Sequence, residues 1–123
     1  MFWLDEVAEE IIKANPDKKE FTVRDEKTLS GRVHVGSLRG LVLHGVVAQA
    51  LRERGFTARF IYEFNDIDPM DGLPVYLDAK KFKQHMGKPL RDVPSPDASA
   101  KNLPEYFGNE FREVIDSLGL ETE

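Results

Sequence analysis

Residues 28–40 read TLSGRVHVGSLRG, and this run gathers the side chains in the chain best suited to phosphate chemistry. Gly31 and Gly36 let backbone come close to an anion, and Ser30 and Ser37 add hydroxyl donors. His34 presents a ring N–H to phosphate oxygens, which counts most where negative charge grows in a transition state. Two common nucleotide motifs do not fit. Gly31 and Gly36 have Walker A spacing, but Ser37-Leu38 stand where Lys-Ser/Thr is required, so the phosphate-binding lysine is missing. The dinucleotide pattern GxGxxG fails because Gly36 and Gly40 are four apart and His34, not glycine, sits two before Gly36. Downstream, Asn65-Asp66-Ile67-Asp68 and Asp71 lie in a turn-rich stretch, where Asp and Pro commonly form turns. Asp66, Asp68 and Asp71 do not follow the calcium-loop pattern, and no metal ligands are assigned.

These residues need elements to position them. Trp3, Val7, Ile11 and Ile12 recur at helical spacing among acids, so residues 3–14 read as an amphipathic helix ending near Asn15-Pro16. Residues 20–27 have the content of a short strand, and the Ser/Gly-rich loop 28–37 follows. The spacing predicts a helix from Ser37, as N-cap, to Gly55, apolar on most faces and therefore largely buried. Residues 57–64 read as a second strand whose apolar residues do not alternate cleanly, as in a parallel strand covered on both faces. In an open parallel sheet, the loop after the first strand and the start of the next helix face the ligand crevice. Beyond lie a turn-rich loop from Asn65 to Pro74, a short helix near residues 75–87, and an irregular Pro/Asp/Ser-rich connection. A last helix over 104–118 carries Phe107, Phe111, Val114, Ile115 and Leu118 on one stripe, Gly119 stops it, and Leu120–Glu123 begin a third strand. Gly40 and Gly45 inside the second helix signal close helix–strand packing, and His44 reads as a hydrogen-bonded packing histidine. His85 lies near a helix end; Lys80, Lys81 and Lys83 could touch an RNA backbone, but charged runs on short helices are usually solvated faces, and they are assigned no role.

At 123 residues and 41% hydrophobic, the chain suits one domain with a modest core. The net charge of -5 argues against this chain gripping nucleic acid on its own, so such a partner would be held mostly elsewhere. With no cysteine there is no disulfide framework or thiolate zinc site, which suits a reducing cytoplasm. No stretch reaches the ~20 apolar residues of a membrane span, so no membrane partner is expected.

The run SGRVHVGSLRG resembles the HIGH-type signature of class I aminoacyl-tRNA synthetases, here His34-Val35-Gly36-Ser37 preceded by Ser30-Gly31. Together with FWLDEVAEEIIK, FIYEFNDIDPMDGLPVYLD and MGKPLRDVPSPD, it resembles the N-terminal part of class I lysyl-tRNA synthetases along nearly the whole chain. Ser37 stands where that family often has Asn or His, Leu29 where Pro is usual, and Asn65 where Asp is more usual.

The resemblance implies an α/β fold, a partial Rossmann-like (HUP-type) parallel sheet with flanking helices, with residues 1–123 forming the N-terminal portion of a catalytic domain. It implies ATP as substrate, with Mg2+ carried by ATP, and lysine and tRNA as partners. His34, Gly36 and Ser37 would be catalytic, and Ser30 and Gly31 would join them around ATP. Thr28, Asp66 and Asp68 would contact the amino acid. The KMSKS-type signature is not in these residues, nor is an anticodon-binding region, so the chain is expected to be inactive by itself. Two alternatives stay open: a small HxGH-type nucleotidyltransferase, which needs a full set of strands, and a non-catalytic nucleotide-binding remnant.

Overall fold

The apolar stripe near the N-terminus folds as helix α1 (Trp3–Ala14), with Asp5 and Glu6 in its first turn and Lys13 in its last, the order the helix dipole favours. It stops at Asn15, whose Nδ2 donates to the Ile11 carbonyl at 2.9 Å, and Pro16 follows. The structure is a computed structural model describing residues 2–123. After α1 come β1 (Glu20–Thr28), α2 (Val35–Glu53), β2 (Thr57–Asn65), α3 (Ala79–Phe82), single 3-10 turns at Lys83–His85 and Leu90–Asp92, and α4 (Leu103–Leu118). None of the helices among the described residues is long and apolar enough to cross a membrane. The chain divides into two compact units: Met1–Glu26, Val35–Glu63 and Gly119–Glu123 form the first, Lys27–His34 and Phe64–Leu118 the second.

In the first unit, β1 and β2 run side by side in a two-stranded parallel sheet, and the Thr57 N–H donates to the Lys19 carbonyl at 3.1 Å. The connecting helix α2 packs on α1. Its approach to the strands is set by two glycines. A Cβ on Gly40 would lie 2.2 Å from Asp25 Oδ2, and one on Gly45 would lie 3.3 Å from the Phe60 ring and 3.0 Å from Leu120. His44 meets the same strand residue, with Nδ1 2.8 Å from the Gly40 carbonyl and 3.5 Å from Asp25 Oδ2. Gly55, at φ 85, turns the chain out of the helix as expected. Of the expected third strand only a pairing is present, since the sheet has two strands: the Glu123 N–H donates to the Phe60 carbonyl at 2.8 Å and its carbonyl accepts from Tyr62 at 3.0 Å, a parallel pattern.

Three expectations need correction here. Helix α2 starts at Val35, so Gly36 and Ser37 lie in its first turn and Ser37 is not the N-cap. A cap is the last residue before helical backbone, and the chain is already helical two residues earlier. Nor is α2 largely buried: Leu41, Gly45, Ala48, Ala50 and Leu51 are, whereas Val35, Val42 and Leu43 are exposed. Only the small-residue stripe can approach the strands closely. Strand β2 alternates after all. Ala58, Phe60 and Tyr62 are buried, while Thr57, Arg59 and Glu63 are exposed. The polar face is occupied by ion pairs, Arg24 with Glu63 and Arg59 with Glu123, so one face of the sheet packs and the other is solvated.

The second unit is built around Met70, Leu77, Phe82, Leu90, Val93, Leu103 and Phe107. Helix α4 begins one residue before the expected span, and its Asn102–Glu105 start is reciprocally capped. Asn102 Oδ1 accepts from the Glu105 N–H at 3.0 Å, and Glu105 Oε2 accepts from the Lys101 N–H at 2.6 Å. Phe107, Phe111 and Ile115 are buried as their spacing predicts, Val114 is half-buried, Leu118 in the last turn of the helix is exposed against expectation, and Gly119, at φ 66, ends the helix. Gly108 leaves room for Leu29, whose Cδ1 lies 3.2 Å from where a Cβ would stand. Four backbone bonds at 2.8–2.9 Å tie residues 87–91 to 66–70: Met70 to Lys88, Gly87 to Met70, Leu90 to Asp68 and Arg91 to Asp66, each N–H to carbonyl.

The alternation in β2 makes two predictions. Phe60→Ala should cost about 3–5 kcal/mol of stability, and Thr57→Ala far less, read from the midpoints of urea unfolding. Burial, with a further push from the Asp25 carboxylate, raises the Tyr62 phenol from 10.0 to about 12. The folded state then holds this proton after the unfolded chain has lost it. Stability should be complete below pH 10 and fall as pH rises toward 12; Tyr62→Phe should flatten that fall.

Candidate functional site

Where β1 and β2 end, their last residues and the loops after them fall in the second unit. The pairing persists there, with the Leu29 N–H donating to the Asn65 carbonyl at 3.3 Å. Asn65 then folds the next turn around its own side chain: Oδ1 accepts from the Ile67 N–H at 3.0 Å and the Asp68 N–H at 3.2 Å. This aims Asp68 back at β1, where Thr28 Oγ1 donates to Asp68 Oδ2 at 2.5 Å. Thr28 and Asp68, forty residues apart and both assigned to the amino acid from sequence, are therefore in direct contact. The bond leaves the carboxylate fixed in direction and half-buried. Asp66 is half-buried too, and lines a cavity of about 260 Å³ with Leu29, Phe64, Asn102, Pro104 and Arg112. Arg112 stacks on Phe64, its guanidinium carbon 5.2 Å from the ring centre.

The turn Ser30–Arg32 has a partner that sequence reasoning missed. The Tyr76 hydroxyl accepts from the Arg32 N–H at 2.8 Å and lies 2.6 Å from the place a Cβ on Gly31 would occupy. Gly31 thus makes room for a phenol, and no positive φ is involved. The Tyr76 ring is held edge-on by buried Phe107, with centroids 6.1 Å apart. No periodicity marks Tyr76, because it sits in the loop before α3. Leu29, an apolar residue in a polar stretch, was the one legible signal: it is 3% exposed and anchors the loop against α4. Arg32 adds an ion pair with Glu110 at 3.5 Å.

Ser30 is half-buried and His34 exposed, both in this unit, and the chain then enters α2. Gly36 and Ser37 occupy the first turn of that helix, in the other unit. The first turn of α2 holds no acidic residue, so nothing in it opposes the helix's affinity for an anion.

Comparison with known proteins gives this geometry a context. The family described as "tRNA synthetases class I (K)" matches residues 1–123. The chain belongs to that family. Among relatives, this class I synthetase chain is 36% identical over 121 residues to the lysine–tRNA ligase of Thermococcus kodakarensis, covering 98% of this chain and 23% of the relative. It is 34% identical over 121 residues to that of Pyrococcus furiosus, with the same shares, and 32% identical over 118 residues to that of Methanosarcina barkeri, covering 96% and 21%. The chain thus spans about a quarter of the length of these curated relatives.

The Tyr76 contact generates a prediction. Tyr76→Phe removes the acceptor of the Arg32 amide, and loss of one such bond should speed exchange of that amide about 2- to 10-fold, as read by hydrogen–deuterium exchange, with amides of α4 unchanged.

Proposed function

We propose that the protein is the front part of a class I lysine–tRNA ligase, which activates lysine with MgATP and charges tRNA in the cytoplasm. The observation that carries this reading is the Ser30–Ser37 signature, which follows β1 and leads straight into a 19-residue helix with an acid-free first turn. The printed activity of the relatives agrees with it.

In this reading a carboxylate oxygen of lysine bonds to the α-phosphorus of ATP, and the bond from that phosphorus to the bridging oxygen breaks. The electron pair leaves with pyrophosphate. His34 donates a ring N–H to the phosphate oxygens, and the dipole at the start of α2, through Gly36 and Ser37, favours the growing negative charge. Ser30 and Gly31 border the nucleotide, with the turn held by Tyr76. Asp68, oriented by Thr28, and Asp66 attract the ammonium groups of lysine. A ribose hydroxyl of tRNA then attacks the carbonyl carbon of lysyl-adenylate and AMP departs.

The test is a fusion in which this chain replaces the matching 121-residue segment of the Thermococcus kodakarensis relative. It should catalyse lysine-dependent ATP–pyrophosphate exchange, and His34→Ala should lower the rate by about 10²–10³. This chain alone should show at most feeble exchange. A folded fusion that exchanges no label with lysine would overturn the reading.

A further inference from the structure

Asp66 is half-buried, and among the described residues five other carboxylates are half-buried too: Asp5, Asp25, Asp68, Glu105 and Glu110. Each of those five has a partner within the fold. Asp5 meets Arg54, Asp25 meets His44, Glu110 meets Arg32, Asp68 accepts from the Thr28 hydroxyl, and Glu105 accepts from the Lys101 N–H. The Asp66 carboxylate has no partner among the described residues; the bond from the Arg91 N–H is taken by the Asp66 backbone carbonyl. A carboxylate drawn partly out of water without a counter-charge costs stability, so its presence calls for an explanation.

The cavity of about 260 Å³ that Asp66 lines holds the complementary group. Arg112 lines it as well, and its guanidinium is held from two sides. It lies over the Phe64 ring, 5.2 Å from the centre, and Nη1 donates to Asn109 Oδ1 at 3.1 Å. Lys101, the other cation of the lining, has no comparable hold among the described residues. Neither Asp66 nor Arg112 forms an ion pair, with each other or with any other described residue. Two opposite charges thus line one small cavity without meeting, with apolar surface from Leu29, Phe64 and Pro104. A plain anion there is repelled by Asp66, and a plain cation by Arg112. A small ligand with both charges satisfies both.

We infer that Asp66 and Arg112 together recognise a free α-amino acid, Asp66 taking the α-ammonium and Arg112 the α-carboxylate. The inference rests on the reading proposed above and deepens it, since Arg112, without a role there, becomes the residue that demands a free carboxylate. A planar guanidinium that is always charged and already fixed on a ring suits that task, because its N–H groups match the two oxygens of a carboxylate.

The experiment titrates the full, isotope-labelled chain with four ligands of similar length and follows amide chemical shifts. Lysine and norleucine carry both α groups, cadaverine lacks the carboxylate, and hexanoate lacks the ammonium. The two amino acids should bind about 10-fold or more tightly than cadaverine or hexanoate. R112Q should erase the preference for lysine over cadaverine without weakening cadaverine, and D66N should erase that for norleucine over hexanoate without weakening hexanoate. K101Q should keep both preferences. A merely structural role for Arg112 predicts that R112Q weakens all four ligands together, and that result would overturn the inference. Equal binding of the four by the unmodified chain, or no binding of lysine, would overturn it too. The two readings fail separately: a fusion unable to exchange with lysine leaves these preferences standing, whereas an active fusion whose R112Q form still prefers lysine to cadaverine sinks this inference alone.

Discussion

The first unit depends on how closely α2 can approach the strands beneath it. At Gly40 and Gly45 the helix has no side chain, and Asp25 and Phe60 fill the space. A methyl at Gly40 would stand 2.2 Å from a carboxylate oxygen, closer than non-bonded atoms tolerate, so the Asp25 side chain would have to turn out of its place. The glycines cost helix propensity, about 1 kcal/mol each relative to alanine. What they permit is a close-packed crossover, with the helix's exposed stripe of Val35, Val42 and Leu43 turned away from the strands.

The second unit solves a different problem, that of holding polar loops still without regular structure. It does so from the core outward. Phe107 is buried, Tyr76 packs edge-on against it, and the Tyr76 hydroxyl reaches the amide of Arg32. Leu29 anchors the same loop from the other end against Gly108. Asn65 supplies the third restraint, taking two amides on one side-chain oxygen so that Asp68 meets Thr28. Each restraint is one side chain from the core or a strand end, and together they determine where the oxygens and amides of these loops point.

Much of this was legible in sequence because it follows from periodicity and from glycine. The bounds of α1, the stripe of α4 from Phe107 to Ile115, the stops at Gly55 and Gly119, and the packing roles of Gly40, Gly45 and His44 all rest on local rules, and the structure agrees; Leu118, in the last turn, is exposed. The burial of α2 was misjudged because apolar composition says how much of a helix prefers to be covered, not what covers it. The alternation of β2 was misread because Ile61, half-buried, and Phe64 blur a pattern that Arg59 and Glu63 keep. Thr28, Asp66 and Asp68 were singled out for their chemistry, and the bond joining two of them is a tertiary fact no spacing encodes. Tyr76 was invisible for the same reason.

The order of segments in the two units bears on how the chain acquires its structure. The first unit is interrupted: most of it comes before Phe64, it is left for the stretch 64–118, and it is resumed by Gly119–Glu123. Leu120 and Glu123, which meet Gly45, Phe60 and Tyr62, therefore leave the ribosome only after the whole stretch 64–118. During synthesis the edge of β2 waits unpaired while 55 residues of the other unit emerge. Such an architecture orders the two units in time: the one begun first is resumed only after the other has emerged.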